Sequence, residues 1–192
     1  MLEIVIVGVG GQGTLLASRI LGKLATNAGM DVKVSEVHGM SQRGGSVITF
    51  VRIGSEGEEV NAPLIDFGSA DFVLAFEALE AYRALPYLKK DGAIITGDQQ
   101  IMPMPVITGA AKYPQNPLGK AGEQVKVFSL DATGIAQECG SIRCANIVLI
   151  GVLAKYLPFM RDDVARAVAQ CVPRRTVDMN IAAFNKGYEQ EH

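Results

Sequence analysis

Cysteine is scarce in this sequence. The 192 residues include only Cys139, Cys144 and Cys171, and no two of them form a Cys-x-x-Cys pair. Structural zinc sites and iron–sulfur clusters use several cysteine or histidine ligands at short spacings, so we expect this chain to hold no such group by itself. Three separated thiols also do not suggest the disulfide framework of a small secreted protein. The cysteine content therefore favours the reducing environment of the cytoplasm.

Aromatic residues, histidine and excess charge are also lacking. There is no tryptophan, aromatic residues make up 6% of the chain, and the only histidines are His38 and His192. Two distant histidines do not form a metal site built on several imidazoles. Few rings are available to stack on bases, and 18 basic residues are balanced by 20 acidic ones. The composition therefore argues against binding to nucleic acid or to an anionic membrane surface.

Long hydrophobic runs are absent as well. The most apolar stretch, residues 147–157, contains Gly151 and Lys155 and is far shorter than the ~20 residues that span a bilayer. The apolar run Leu2–Val7 is too short for the hydrophobic part of a signal peptide, and no basic segment precedes it. We expect neither a membrane span nor a targeting segment.

Glycine, in contrast, is abundant, with 21 residues or about 11% of the chain against roughly 7% in average proteins. The first glycine cluster lies between a buried β-branched run, Leu2–Val7, and apolar residues at helical spacing. An alternating strand follows over Val32–Val37. This strand, helix and strand form a βαβ unit, which predicts a parallel sheet covered on both faces. We predict an α/β fold with a three-layer, Rossmann-like sheet.

Alternation and apolar runs predict four further strands, over Val47–Ile53, Asp71–Phe76, Gly92–Thr96 and Val125–Leu130. A turn at Gly54–Glu59 followed by a short partner strand would place an antiparallel hairpin in an otherwise mostly parallel sheet.

The remaining segments are predicted as helices and loops. A helix is predicted over Glu77–Leu88, with the carboxylates of Glu77 and Glu80 in solvent near its positive end. Tyr113–Gly122 is predicted as a surface loop. From Ala132 onward the pattern is helical, so the last third of the chain is expected to be helical. No repeat or linker composition is found, and residues 1–192 are predicted to form one domain.

The first glycine cluster has the spacing of a phosphate-binding turn. Its members are Gly8, Gly10, Gly11, Gln12 and Gly13, and Gly8, Gly10 and Gly13 match the pattern G-x-G-x-x-G. In such a turn the glycines allow a tight bend, close approach of a ligand and close packing of the helix, whose N-terminus then holds an anion. Glu36 lies 23 residues after Gly13, near the position of the acidic residue that binds a ribose. The same glycines would equally serve to pack the helix against the sheet.

A second cluster follows the second strand, where a dinucleotide-binding fold normally continues into a helix. It contains Ser41, Gln42, Arg43, Gly44 and Gly45, preceded by His38 and Gly39. Backbone N–H groups together with one guanidinium suit a phosphate or a carboxylate. An ordered loop whose polar groups satisfy one another is the alternative.

The two clusters together resemble the gamma domain of the 2-oxoacid:ferredoxin oxidoreductases, most closely the small (beta) subunits of the indolepyruvate type. The resemblance rests on Gly8-Val-Gly-Gly-Gln-Gly13 paired with Glu36-Val-His-Gly-Met-Ser-Gln-Arg-Gly-Gly-Ser46. It spans essentially the full chain, and in the C-terminal region it includes Asn146 and Gly151 and then Asn180, Phe184 and Gly187.

The resemblance implies a cytoplasmic enzyme subunit that is inactive alone. It implies oxidative decarboxylation of an aryl 2-oxoacid to an acyl-CoA, with electrons passed to ferredoxin. Thiamine diphosphate, Mg²⁺ and the iron–sulfur clusters would then be held by a large (alpha) subunit, and coenzyme A would bind in the complex. The implied state is a hetero-oligomer, with a homodimer of the isolated chain as an alternative. No catalytic or metal-binding residue is expected in this chain.

Two other interpretations of the glycine loops are compatible with the sequence. One is a free-standing Rossmann-like module that binds NAD(P) or FAD through residues 8–13 and Glu36. The other is a gamma subunit of a pyruvate- or ketoisovalerate-type enzyme. The residues alone do not distinguish whether the glycine loops contact coenzyme A, a nucleotide or only the partner subunit.

Overall fold

A computed structural model describes residues 1–39 and 44–191, and the bounds of all elements refer to these ranges. The strands are β1 (Leu2–Val9), β2 (Val32–His38), β3 (Ser46–Ile53), β4 (Ala70–Ala75), β5 (Leu88–Gly97) and β6 (Lys126–Leu130). The α-helices are α1 (Thr14–Asn27), α2 (Ala78–Arg83), α3 (Met104–Ile107), α4 (Pro117–Gly122), α5 (Ala132–Glu138), α6 (Ala145–Ala154), α7 (Arg161–Cys171) and α8 (Val177–Tyr188).

The strands form one six-stranded sheet in the order β2-β3-β1-β4-β5-β6. Strands β1, β4, β5 and β6 are mutually parallel, whereas β3 is antiparallel to both β1 and β2. One face packs against α1 and α6, which are in turn covered by α7 and α8, and the other face packs against α2 and α4. The predicted α/β, three-layer and mostly parallel architecture is confirmed, as is the helical C-terminal third.

The antiparallel pairing differs from the predicted hairpin in its position. Strand β3 pairs with the preceding β2 and is inserted between β2 and β1, while residues 54–69 contain no strand. In this segment the Val60 N–H donates to Asp31 Oδ2 (2.8 Å), and the Gly54 N–H donates to the Asp31 carbonyl oxygen (2.9 Å). Because Asp31 satisfies these donors, the segment needs no partner strand.

Two local predictions are also corrected. The helix predicted over Glu77–Leu88 ends at Arg83, and β5 already begins at Leu88. Pro86 lacks the N–H group that an α-helix needs for its next hydrogen bond, and the chain forms a short 3-10 helix over Leu85–Tyr87 instead of continuing α2. The loop predicted over Tyr113–Gly122 contains α4, which begins with Pro117 and is capped by the Asn116 side chain accepting from the Gly119 N–H. Asn followed by Pro is a strong helix start.

Helix α6 is the centre of the helical layer, since every residue from Asn146 to Ala154 is buried. It crosses α8 at very short distance. A Cβ atom added at Gly187 would lie 1.9 Å from the Val148 carbonyl oxygen, and one at Gly151 would lie 2.2 Å from the Phe184 carbonyl oxygen. The two glycines therefore permit a backbone-to-backbone contact. Among the described residues, no helix has the length and apolar composition needed to cross a membrane.

Candidate functional site

Gly10 of the first glycine cluster and Gly45 of the second meet at the edge of the sheet where β1, β4, β5 and β6 end, which we call the carboxyl edge. Residues 10–13, the first loop, connect β1 to α1, and the second loop, residues 39–45, connects β2 to β3. The Gly10 N–H donates to the Gly45 carbonyl oxygen at 2.9 Å. The predicted site residues Ser41, Gln42 and Arg43 lie outside the described residues, as does Met40. Two clusters that were singled out separately in the sequence are thus joined in space through Gly10 and Gly45.

Gln12 links the first loop to two other strands. Its Oε1 accepts from the Val9 N–H (2.7 Å), and its Nε2 donates to the Phe76 carbonyl oxygen (2.9 Å) and to Gln99 Oε1 (3.1 Å). Phe76 follows β4 and Gln99 follows β5, so one side chain ties together the ends of three strands. Because both of its N–H groups are engaged, Gln12 shapes the loop instead of offering a donor to a ligand.

The glycines of the first motif are required mainly by protein contacts. A Cβ atom at Gly8 would lie 3.0 Å from Gln12 Oε1 and 3.3 Å from the Phe76 ring. Gly13 has φ +91°, in the left-handed region, and a Cβ there would lie 2.3 Å from Asn146 Nδ2. Gly11 also has a positive φ, +104°, but open space surrounds it. Gly8 and Gly13 therefore make room for Gln12 and Asn146, whereas Gly11 faces open space.

Glu36 lies close to the start of α1, as its spacing predicts, but its carboxylate is already engaged. Oε2 accepts from Thr49 Oγ1 (3.0 Å) and more weakly from Thr14 Oγ1 (3.4 Å), while His38 Nε2 lies 2.7 Å from Oε1. The Thr49 contact exists because β3 is the neighbour of β2. Glu36 thus links β2, β3 and the first turn of α1.

A cleft of about 510 Å³ opens beside the first loop. Its walls come from the first loop, the start of α1, the ends of β4 and β5, and the segment 132–149. The lining residues are Gly11, Gln12, Gly13, Leu16, Phe76, Gly97, Gln99, Ala132, Thr133, Ile142, Arg143, Ala145, Asn146 and Leu149. Gln99, Thr133 and Arg143 were not predicted as site residues. Gln99 follows β5, Thr133 lies in α5 and Arg143 lies between α5 and α6; none belongs to a motif, so only the fold brings them to the first loop.

The polar features of the cleft suit a ligand group that is anionic or rich in hydrogen-bonding atoms. Helix α1 begins in the cleft with no side-chain cap and no acidic residue in its first turn, so its N–H groups and positive dipole end are available. Arg143 is the only charged side chain among the described residues that line the cleft. Asn146 is buried; its Nδ2 lies 3.4 Å from the Gly13 carbonyl oxygen, and its Oδ1 has no hydrogen-bond partner among the described residues.

Glu77 and Glu80 differ from the prediction, because both side chains are buried instead of solvated. Glu77 caps α2 by accepting from the Glu80 N–H (2.8 Å), and its Oε1 accepts from the Tyr113 hydroxyl (2.6 Å) and the Ile101 N–H (3.0 Å). Burial, together with this hydrogen bond to a carboxylate, raises the pKa of Tyr113 well above 10. The carboxylate thereby holds the segments before α3 and before α4 at the carboxyl edge.

The described residues contain no group of three or more His, Cys, Asp or Glu side chains arranged to hold a metal ion. The three cysteines are free, and Cys144 is buried with its thiol pKa raised by desolvation. A buried thiol with a raised pKa is a poor nucleophile. The described part of the site can therefore bind and orient a group, and it offers no nucleophile or metal ligand set of its own.

Known proteins of one family match this chain over almost its whole length. The sequence profile of the family "Pyruvate ferredoxin/flavodoxin oxidoreductase" matches residues 3–190. The indolepyruvate oxidoreductase subunit IorB of Thermococcus kodakarensis is 43% identical over 96% of this chain and 93% of the relative. That of Archaeoglobus fulgidus is 40% identical over 98% and 94%. The crystal structure of pyruvate oxidoreductase subunit PORC from Thermotoga maritima covers 98% of this chain and 96% of its own, with a TM-score of 0.75 and 24% identity, so it supports the fold.

Proposed function

The chain belongs to the pyruvate ferredoxin/flavodoxin oxidoreductase family, and on that premise we propose that it is the small (beta) subunit of an indolepyruvate-type enzyme. The observation that carries this proposal is 40–43% identity to indolepyruvate oxidoreductase subunits along nearly the full length of both chains. As one gamma-type domain, the chain supports the oxidative decarboxylation of an aryl 2-oxoacid to an acyl-CoA, with electrons passed to ferredoxin. The low cysteine content supports a cytoplasmic location.

The described residues do not fit the metal-bearing cofactors of such an enzyme. They offer no His, Cys, Asp and Glu group for Mg²⁺, and the three free cysteines are too few for an iron–sulfur cluster. We therefore assign thiamine diphosphate, Mg²⁺ and the clusters to a large (alpha) subunit. A protein without the reactive cofactor contributes binding and orientation. Coenzyme A, or the part of the large subunit that carries the reaction, would meet this chain at the carboxyl edge.

Exposed apolar side chains support the carboxyl edge as the surface that contacts the large subunit. Leu15 in the first turn of α1, Ile142 at the cleft, and Met104 and Ile107 in α3 are all exposed, the last two by 67% and 66%. Apolar residues exposed in a group mark protein–protein contacts, and methionine is enriched at interface cores. Leu15 follows the first loop and Ile142 lines the cleft, so the same surface would receive both the partner and a ligand.

Activity of the reconstituted enzyme tests the assignment. The chain is co-expressed with the large subunit of the same organism, and CoA-dependent reduction of ferredoxin is measured with indolepyruvate, pyruvate and 2-oxoisovalerate. We expect activity that requires both chains and is highest with indolepyruvate. Full activity of the large subunit alone would contradict the proposed role. Highest activity with pyruvate would favour the pyruvate-type alternative, and micromolar binding of NAD(P) or FAD by a chain that does not bind the large subunit would favour the free-standing module.

A matched pair of surface variants tests the interface. Ile107→Asp places a charge on the carboxyl edge, whereas Leu64→Asp places one at a 56%-exposed residue next to Arg52, near the opposite end of β3. We expect Ile107→Asp to weaken binding to the large subunit at least about tenfold, because an unpaired charge would be desolvated in the interface. Leu64→Asp should leave binding unchanged. The reverse ranking in a calorimetric titration would place the interface elsewhere.

A further inference from the structure

Helix α2 contacts the first residue of β3, Ser46, through a buried carboxylate. Glu80 is only 5% exposed, and its Oε2 accepts a hydrogen bond from Ser46 Oγ at 2.5 Å. Its Oε1 accepts from Arg83 Nη1 at 2.7 Å, and the Arg83 side chain is half exposed. Hydrogen bonds to a charged acceptor are about twice as strong as neutral ones. Among the described residues, Ser46 and Arg83 are the side chains that donate to this carboxylate, so the Ser46 hydrogen bond matters for its stability.

Ser46 links the Glu80 carboxylate to the first loop through the neighbouring Gly45. It is the first residue of β3 and follows Gly45 directly, and it pairs with Val9 at the end of β1. The Gly45 carbonyl oxygen accepts from the Gly10 N–H at 2.9 Å. The position of Ser46 therefore fixes the Gly45 carbonyl oxygen, which accepts from the Gly10 N–H. Gly10 directly precedes Gly11–Gly13, which line the cleft.

The first loop connects back to α2 on its other side. Gln12 Nε2 donates to Gln99 Oε1 (3.1 Å), and the Gln99 carbonyl oxygen accepts from the Ala78 N–H (2.9 Å), in the first residue of α2. Glu80 lies in the same short helix. The contacts form a closed ring that runs from Glu80 to Ser46, Gly45, Gly10, Gln12, Gln99 and α2.

We propose that Glu80 is a positioning residue that, through Ser46 and Gly45, fixes the first glycine loop and the cleft it lines. Glu80 itself does not line the cleft. Loss of the hydrogen bond between Ser46 and Glu80 would weaken the hydrogen bond from the Gly10 N–H to the Gly45 carbonyl oxygen. The hydrogen bonds of the Gln12 side chain to Val9 and Phe76 would remain. The shape of the loop is a property of the isolated chain; its consequence for catalysis rests on the proposed function.

Hydrogen exchange of the isolated full chain tests the ring directly. The readout is the exchange rate of the Gly10 amide, referred to the amides of the central strands β4 and β5. We expect Ser46→Ala and Glu80→Ala each to raise the Gly10 rate about tenfold, the size of effect expected for losing a hydrogen bond to a charged group. Glu80→Gln should raise it less than about threefold, because its amide oxygen still accepts the Ser46 hydrogen. The double variant should exchange no faster than Glu80→Ala.

Ser69→Ala is the matched control, since Ser69 Oγ donates to the Asp66 carbonyl oxygen in an exposed turn outside the ring. It should leave the Gly10 rate unchanged. An unchanged Gly10 rate in Ser46→Ala and Glu80→Ala would overturn the proposal. So would a rise shared equally by the amides of β4 and β5, since Glu80 would then only stabilise the whole domain. Equal effects of Glu80→Gln and Glu80→Ala would assign the effect to the Arg83 ion pair and would also overturn it.

Steady-state kinetics of the assembled enzyme test whether the position of the first loop affects catalysis. We expect Ser46→Ala and Glu80→Ala to lower kcat/KM for CoA about tenfold at saturating large subunit, with Glu80→Gln near wild type. Unchanged kinetics in variants with a released Gly10 would overturn the catalytic part of the proposal. If the wild-type complex has no activity, the proposed function fails, while the exchange experiment still decides whether Glu80 positions the loop.

Discussion

The variant Gly13→Ala tests whether the buried Asn146 side chain is the reason that residue 13 must be glycine. Gly13→Ala forces a side chain into left-handed backbone at φ +91°, which costs about 1–2 kcal/mol. The new Cβ would also lie 2.3 Å from Asn146 Nδ2, and Asn146 is buried, so relieving the overlap costs about 1–3 kcal/mol more. We expect the free energy of unfolding in urea, followed by circular dichroism, to fall by about 2–5 kcal/mol.

Gly11→Ala provides the matched control. Gly11 has φ +104° with open space around it, so this variant carries the backbone cost without the overlap. It should lose about 1–2 kcal/mol. Adding Asn146→Ala to Gly13→Ala should recover most of the difference between the two variants, whereas Asn146→Ala should not rescue Gly11→Ala. Equal losses for Gly13→Ala and Gly11→Ala, or no recovery in the double variant, would refute the idea that Asn146 dictates this glycine.

Two further predictions concern packing and pH. Gly187→Ala places a Cβ 1.9 Å from the Val148 carbonyl oxygen, so we expect about 3 kcal/mol of destabilisation, whereas Gly122→Ala, with open space, should be neutral or stabilising by up to about 1 kcal/mol. Tyr113→Phe removes the hydroxyl that donates to buried Glu77 and should cost about 1–2 kcal/mol at neutral pH. The raised pKa of Tyr113 means that this contribution is complete below pH 10 and declines as pH rises above 10, where the unfolded tyrosine ionises. The stability difference between wild type and Tyr113→Phe should therefore shrink in alkaline urea titrations.

Each of these two predictions has a clear contrary result. A Gly187→Ala protein as stable as Gly122→Ala would show that α6 and α8 separate at little cost. A stability difference for Tyr113→Phe that stays constant from pH 8 to pH 11 would show that the hydroxyl ionises alike in the folded and unfolded chains.

Local pattern predicted the individual strands well but not all of their partners. The apolar run Leu2–Val7 and the alternation at Val47–Ile53 both correspond to observed strands, β1 and β3. The insertion of β3 between β1 and β2 has no local signal, because pairing depends on contacts between distant segments. The predicted hairpin partner after Gly54 was wrong, since Asp31 supplies the acceptors that this segment needs.

In the site, too, sequence motifs predicted some features, whereas others depend on contacts between distant segments. The glycine spacing of the first loop and the nearness of Glu36 to α1 followed from the motif, and both are observed. The carboxylates of Glu77 and Glu80 were predicted in solvent because acidic residues at a helix start are usually exposed. Their burial is possible only because donors from other segments reach them, such as the Tyr113 hydroxyl and Ser46 Oγ.

The sequence by itself determined the class of fold and the family. Buried β-branched runs, helical periodicity and two glycine clusters are local properties of the chain, and a count of three cysteines needs no coordinates. Tertiary structure alone decided which groups those glycines serve: Gln12 beside Gly8, Asn146 beside Gly13, and Gly45 against Gly10. The reason is physical, because a glycine's missing Cβ makes space, and only the folded chain determines what occupies it.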